Sequence, residues 1–439
     1  MNLLEQYPFL PRFSQIAIVS VLSNMMVPLA GLVDTAFLGH LADINQLGGT
    51  ILGGILFDYL YRILKFLRSS TNALTASAPD RETELKVLLR SLFVALTIGF
   101  TVLLVQYPIK VLGFWLLSST PEIELAGMNY FDGRIWGAPA VLSNFVLIGW
   151  FLGREKTGTV LLMSMVGNGA NVILDYYFIN RWGSWGAGLA TAISQYAAFF
   201  IGSGVALKTI EWSTKSLSWR AIFAREAFTA TVTLKANILI RFVLLISVYA
   251  IFTNVSAQLG TETLTQNGLL IQIALFSQFT IQGIGMTTQS LVGNLQKEGK
   301  VNQILPLLQV SILTSTTIAI SIAVLTIIFP HQVFRLLTNH REIETAILNY
   351  DIWLLPLLVI TALAFMLEGY FIGLKEGEVL RNSAVSSFFG GFLPLALLSL
   401  YYQNSHILWG ALTFYMVSLT IALGINFPRT YQQMLGYRS

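Results

Sequence analysis

The sequence predicts an all-α, polytopic membrane protein with twelve transmembrane helices in two six-helix lobes related by a pseudo-two-fold axis. Three observations predict it. The 439 residues are 54% hydrophobic and only 11% charged, whereas a soluble domain carries about 25% charge. Apolar runs of spanning length recur along the whole chain. A sequence repeat also divides the chain near its middle.

Taken in order, the runs fall near 13–40, 47–76, 88–118, 127–152, 158–180, 186–208, 229–257, 264–294, 304–329, 346–373, 383–402 and 406–427. Each approaches or exceeds the roughly 20 apolar residues that cross a bilayer. The first contains one acid, Asp34, and an internal Pro28, which removes a backbone donor and marks a hinge. The second is interrupted by Asp58, Arg62, Lys65 and Arg68 and is retained because of the repeat. Between the sixth and seventh runs, residues 209–228 form the longest polar connection. The expected division is therefore an N-terminal lobe at 1–208, a cytoplasmic linker at 209–228 and a C-terminal lobe at 229–439.

The repeat is specific. Leu116-Leu117-Ser118 before Pro121-Glu122-Ile123 matches Leu336-Leu337-Thr338 before Arg341-Glu342-Ile343. Gly149-Trp150-Phe151-Leu152-Gly153 matches Gly369-Tyr370-Phe371-Ile372-Gly373 at the same offset of 220. A shift of six spans preserves topology, so the halves are parallel repeats, an arrangement that places transport sites near mid-membrane.

Composition also excludes. A water-soluble enzyme is ruled out, and with no cysteine there is no disulfide, thiolate metal site or cysteine nucleophile. His40, His331, His340 and His406 lie near span ends or in loops, which leaves a membrane-embedded enzyme without a histidine deep in a span. The net charge of +4 follows from basic cytoplasmic loops and calls for no nucleic acid. With both termini inside, Arg81, Lys86, Arg154, Lys156 and Lys297 fall on the cytoplasmic side, while Lys110, Arg181, Arg335 and Arg341 are the basic residues of the outer loops. The expected location is the cell (inner or plasma) membrane. Gly293 to Lys300 has the wrong spacing for a phosphate loop, so no nucleotide partner is expected.

Charged groups inside spans are costly and mark function. On the fifth run, Asn168, Asn171 and Asp175 are spaced by three and four and share a helix face. Asp34, Asp175 and Thr191 fall at similar depths, counted at 1.5 Å per residue. Together these oxygens suit a proton carrier or a Na⁺ site; interhelical hydrogen bonding alone is the other reading. No firmer metal site is expected. In the second half, Glu368 has Ile148 as its counterpart, so it lines a cavity or pairs with a basic side chain. Gln278, Gln282 and Gln289 share one face of the eighth run, and Asp58 with Arg62 forms an i,i+4 pair. All are substrate-cavity candidates.

PLAGLVDTAFLGHL, FLRSSTNALTASA, RIWGAPAVLSNFVLIGWFLG, NVILDYYFI and GAGLATAIS resemble the multidrug and toxic compound extrusion (MATE) family, in its DinF-like branch. The resemblance implies a cation-coupled antiporter exporting a small organic compound by alternating access. It implies that Asp34 couples H⁺ or Na⁺ and that Asn171, Asp175 and Thr191 belong to the same site. Glu368 matches the branch's acid before Gly-x-Phe-Ile-Gly. No cofactor beyond the coupling ion is expected, and the partners are the substrate and membrane lipids of a monomer. Gln282 and Gln289 stand where the branch resembles acids, and Asp58, Arg62 and Lys65 are unusual for it. That departure points to a zwitterionic or anionic compound, or one dedicated substrate. The alternative reading is a lipid-linked precursor flippase of a related two-lobe fold.

Overall fold

The computed structural model describes residues 7–39, 44–117, 121–209, 224–335 and 348–436. Side chains are described for these residues except 26–39, 44, 45, 47, 116, 117, 226, 227, 230, 261, 262, 265, 334 and 335. The described residues are helical, with no strand among them. The helices are α1 (Leu10–Gly39), α2 (Ile44–Leu64), α3 (Phe66–Ala76), α4 (Arg81–Leu104), α5 (Gln106–Leu117), α6 (Pro121–Arg134), α7 (Ala138–Gly153) and α8 (Thr157–Thr209). They continue with α9 (Arg225–Gln258), α10 (Thr261–Lys297), α11 (Ile304–Ile328), α12 (Leu354–Gly373), α13 (Gly377–Ser386), α14 (Leu393–Tyr402) and α15 (Ser405–Met434). Among the described residues, nine helical segments are long and apolar enough to cross a membrane. One of them, α8, bends into two limbs at Gly183; with α1 and the α2–α3 pair, the twelve expected crossings are present.

Local chemistry explains the breaks. Gly183 takes φ 55°, ψ −134°, a backbone conformation open to glycine but costly to other residues. The Gln46 side chain accepts a hydrogen bond from the Ser184 N–H at 2.9 Å, capping the second limb from another helix. At the start of α4, Asp80 accepts from the Thr83 N–H at 2.7 Å, a helix N-cap. That bond holds the Asp80 carboxyl below the usual carboxylate range. Between α13 and α14 the chain is π-helical over Ser387–Phe392, immediately before Pro394, which offers no N–H to the preceding turn. The α1 helix runs unbroken from Leu10 to Gly39, so Pro28 does not end it; its side chain lies outside the described residues.

The chain forms two compact units, 22–232 and 233–439, and residues 1–21 belong with the second. This differs from the expected lobe of 1–208. Arg12 donates to Glu298 at 2.8 and 3.2 Å, and a Cβ on Gly283 would lie 2.7 Å from the Val21 backbone. The start of α1 is thus tied by charge and close packing to α10 and the turn after it. Hydrogen bonds from Arg12 also hold Glu298 ionised, its carboxyl standing below the ordinary range despite partial desolvation.

The repeat is visible inside each unit. A Cβ at Gly149 would lie 2.4 Å from the Arg68 carbonyl, and one at Gly369 would lie 2.5 Å from the Gly285 carbonyl. Both glycines let a helix pair, α7 on α3 and α12 on α10, touch backbone to backbone. After each pair the chain turns through a left-handed residue, Glu155 (φ 57°) or Lys375 (φ 66°). The next N–H closes the same motif, Lys156 to Phe151 O at 2.8 Å and Glu376 to Phe371 O at 2.9 Å.

Candidate functional site

In the first unit the site is built on the first limb of α8. Asp175 is fully buried at 0% exposure and Asn171 lies one turn before it at 4%, on the face that their spacing predicts. The Asn171 Nδ2 is buried and meets no hydrogen-bond partner among the described residues. Asn168 is half-buried and gives its Nδ2 to the Ser164 carbonyl at 2.7 Å, its own helix one turn back. Thr191, on the second limb, is half-buried and donates to the Ala187 carbonyl at 3.0 Å. Its oxygen still keeps acceptor capacity. The Asp34 side chain lies outside the described residues. Further back along the first limb, Ser164 shares a 3.0 Å hydrogen bond with Ser23 of α1, and Arg68 of α3 donates to Asn24 of α1 at 2.9 Å.

The second unit treats its acid differently. Glu368 on α12 is held by Arg241 on α9 through two hydrogen bonds, Nε to Oε1 and Nη2 to Oε2. Both residues are 3% exposed. Of the two readings open for Glu368, pairing with a base is the one realised, and the carboxylate is neutralised where it stands. The Arg241 guanidinium also lies 5.4 Å from the Phe365 ring centre. Gln278 donates to the Tyr249 hydroxyl at 3.2 Å. Gln289 is buried where α10 meets α12, its carbonyl 2.7 Å from the Cβ position of Gly373. Gln282 is half-buried. In the first unit Asp58 and Arg62 stand 4.0 Å apart, with side chains 58% and 37% exposed, a surface pair rather than a buried one.

Two basic residues of the spans took no role from the sequence and have one in the structure. Arg241 is the partner of Glu368. Arg134, at the end of α6, lies over the rings of Phe57, Tyr61 and Tyr130 at 4.8, 5.9 and 5.5 Å. The signal for both was charge inside an apolar run.

With this geometry in place the comparisons decide the family. The MatE family model matches residues 20–177 and 238–398. The chain belongs to the MatE family. It is 29% identical over 428 residues to DNA damage-inducible protein F of Escherichia coli K12, covering 95% of this chain and 92% of that protein. It is 23% identical over 349 residues to a probable multidrug resistance protein NorM of Pasteurella multocida, covering 75% and 73%. Among solved structures it resembles an outward-facing multidrug resistance MATE family transporter of the MOP superfamily, with a TM-score of 0.84, 19% identity and 98% and 96% coverage. It also resembles a MOP superfamily transporter from Pyrococcus furiosus whose binding pocket has reverse polarity, with a TM-score of 0.83, 19% identity and 98% and 96% coverage. This MatE protein is therefore a multi-pass membrane transporter of an efflux family, with small-molecule substrates, and not an enzyme.

Proposed function

We propose that this MatE protein is a secondary active exporter in which H⁺ entry, or Na⁺ entry in its place, drives a small organic compound out of the cytoplasm by alternating access. The observation that carries the reading is a fully buried carboxylate, Asp175, one helical turn from buried Asn171 inside a membrane span. A carboxylate in that position is retained for a reason other than solubility. Asp34 is the second acid of the coupling group, and Asn171 with Thr191 supplies further oxygens for an ion shell. A proton needs only the acids. Asn168 gives its Nδ2 to its own helix backbone and keeps its amide oxygen as a further ligand for a Na⁺ shell.

The protein works in the cell membrane as a monomer surrounded by lipid, with both termini cytoplasmic and no resident cofactor. The basic residues at one set of span ends support that orientation. Its substrate is anionic or zwitterionic. Support comes from the second unit, where Glu368 is already committed to Arg241 and neutral Gln282 and Gln289 hold places where acids were expected. The Pyrococcus protein of similar fold is a precedent for a pocket of reversed polarity. Linkage requires that the coupling ion and the substrate favour opposite states of the transporter.

The test is transport in proteoliposomes with H⁺ and Na⁺ gradients imposed separately against cationic, zwitterionic and anionic compounds. Gradient-driven export of an anionic or zwitterionic compound by the wild type is expected, abolished by Asp175→Asn. Export that Asp175→Asn leaves at wild-type level removes Asp175 from the coupling site.

A further inference from the structure

Arg68 is a buried cation of the first unit. It lies on α3, eight residues before the Ala76 end, a rise of about 12 Å, and is 4% exposed. Its backbone is fixed by the close approach of α7 at Gly149 to the Arg68 carbonyl. Long basic side chains near a span end ordinarily snorkel to the membrane surface. Arg68 turns inward instead, and its Nη1 donates to the Asn24 Oδ1 of α1 at 2.9 Å. Asn24 is 0% exposed, and its amide brings no charge.

The edge formed by Nε and Nη2 is different. Both atoms are buried, and neither meets a hydrogen-bond partner among the described residues. The second unit shows what this edge suits. In Arg241 the same two nitrogens take the two oxygens of Glu368, the bidentate arrangement in which a guanidinium binds an anion best. Around Arg68 the sequence offers no equivalent acid. The helices α3 and α7 contain none. Those that begin α4, Glu82 and Glu84, pair with Lys86 and Arg154. On α1, Asp34 lies ten residues beyond Asn24, a rise of about 15 Å. Lys65, three residues before Arg68, is of the same sign. A guanidinium keeps its proton when buried, so it cannot shed the charge. Two buried N–H groups without partners and a buried charge without a counter-charge are both costly. A water molecule would answer the first and leave the second.

We propose that the Nε–Nη2 edge of Arg68 binds a chloride ion, held inside the first unit as a resident counter-ion. Chloride supplies there the negative charge that Glu368 supplies to Arg241. An edge enclosed on this scale selects a monatomic anion over an organic carboxylate. The ion is not cargo, and the site stands independently of the export reading.

The experiment is thermal unfolding of the purified full chain as sodium gluconate is replaced by sodium chloride at constant ionic strength. Chloride should raise the midpoint saturably, by about 1–2 °C at ten times its dissociation constant, and bromide should substitute for it. Arg68→Gln should remove the saturable dependence. Asn24→Asp, which sets a carboxylate of the protein's own beside the guanidinium, should remove it as well. Equal wild-type midpoints in chloride and gluconate overturn the site, as does a folded Arg68→Gln protein that keeps the dependence. If Arg68→Gln does not fold, a dependence retained in Asn24→Asp overturns it instead. Wild-type crystals soaked in bromide give the direct readout. An anomalous peak beside Nε and Nη2 of Arg68 is expected, and its absence at saturating bromide contradicts the site.

Discussion

In the first unit, Asp175 lies buried on a helix face beside the amide of Asn171. In the second, Glu368, equally buried, is gripped at both oxygens by Arg241 from a helix 127 residues away in sequence. The contrast separates two uses of an intramembrane acid. A bidentate ion pair sums to zero charge and has little tendency to change with ion occupancy; it links α9 to α12 through their side chains. Asp175 is set one helical turn from the amide of Asn171 and is the acid to which the proposed function assigns the coupling proton or cation. On the function proposed above, the same helical frame, repeated at an offset of 220, carries coupling chemistry in one half and a buried ion pair in the other.

The largest effect should come from opening that pair. Removing one partner of a buried pair typically costs about 3–5 kcal/mol. Glu368→Gln or Arg241→Met should therefore lower the thermal unfolding midpoint of the purified protein sharply. The double variant Arg241→Met/Glu368→Leu should recover most of the loss, since an apolar replacement of both partners is often neutral. Single variants no less stable than the wild type would show that the pair locks nothing.

Next come the glycines that make the two units alike. Gly149→Ala and Gly369→Ala each force a Cβ against a backbone carbonyl, at 2.4 and 2.5 Å. Each should cost about 1–3 kcal/mol, as overpacking does, and the two should cost similar amounts. A large loss at one and none at the other, measured by the same unfolding assay, would break the equivalence of the helix pairs.

The smallest effect is expected at Asp80. Asp80→Ala should cost about 1 kcal/mol, the worth of an N-cap. The Asp80 carboxyl is held below its ordinary range by the Thr83 N–H. Its stabilisation is thus present at pH above the ordinary carboxylate range and fades as pH falls through the folded-state value. The gap between wild type and Asp80→Ala should accordingly narrow in acid. A gap independent of pH would mean that the charge on Asp80 contributes nothing to the cap.

These comparisons also show which parts of the molecule were legible in the sequence. The helices follow from apolar runs, and the repeat from an unbroken offset, because both are properties of neighbouring residues. Asn171 and Asp175 share their face by spacing alone. The pairing of Glu368 with Arg241, the Gln46 cap on Ser184 and the Arg134 cluster join residues far apart in sequence, and no local pattern specifies them. The grouping of residues 1–21 with the second unit was not legible for the same reason: their partners, Glu298 and Gly283, lie on the far side of the chain's midpoint. Helix-face spacing gave Asn168 to the site, and depth with the family resemblance gave it Thr191. In the structure both hydrogen-bond to their own helix backbone, a preference that amide and hydroxyl side chains commonly express in apolar surroundings.

The central claim is that coupling resides in the first unit and not in the second. The direct measurement compares proton flux linked to substrate export in proteoliposomes for the wild type, Asp175→Asn and Arg241→Met/Glu368→Leu. The account predicts that Asp175→Asn folds but moves no protons with substrate, while the double variant keeps substrate-linked proton flux. Proton-linked export that survives Asp175→Asn and is lost in a folded double variant would contradict it.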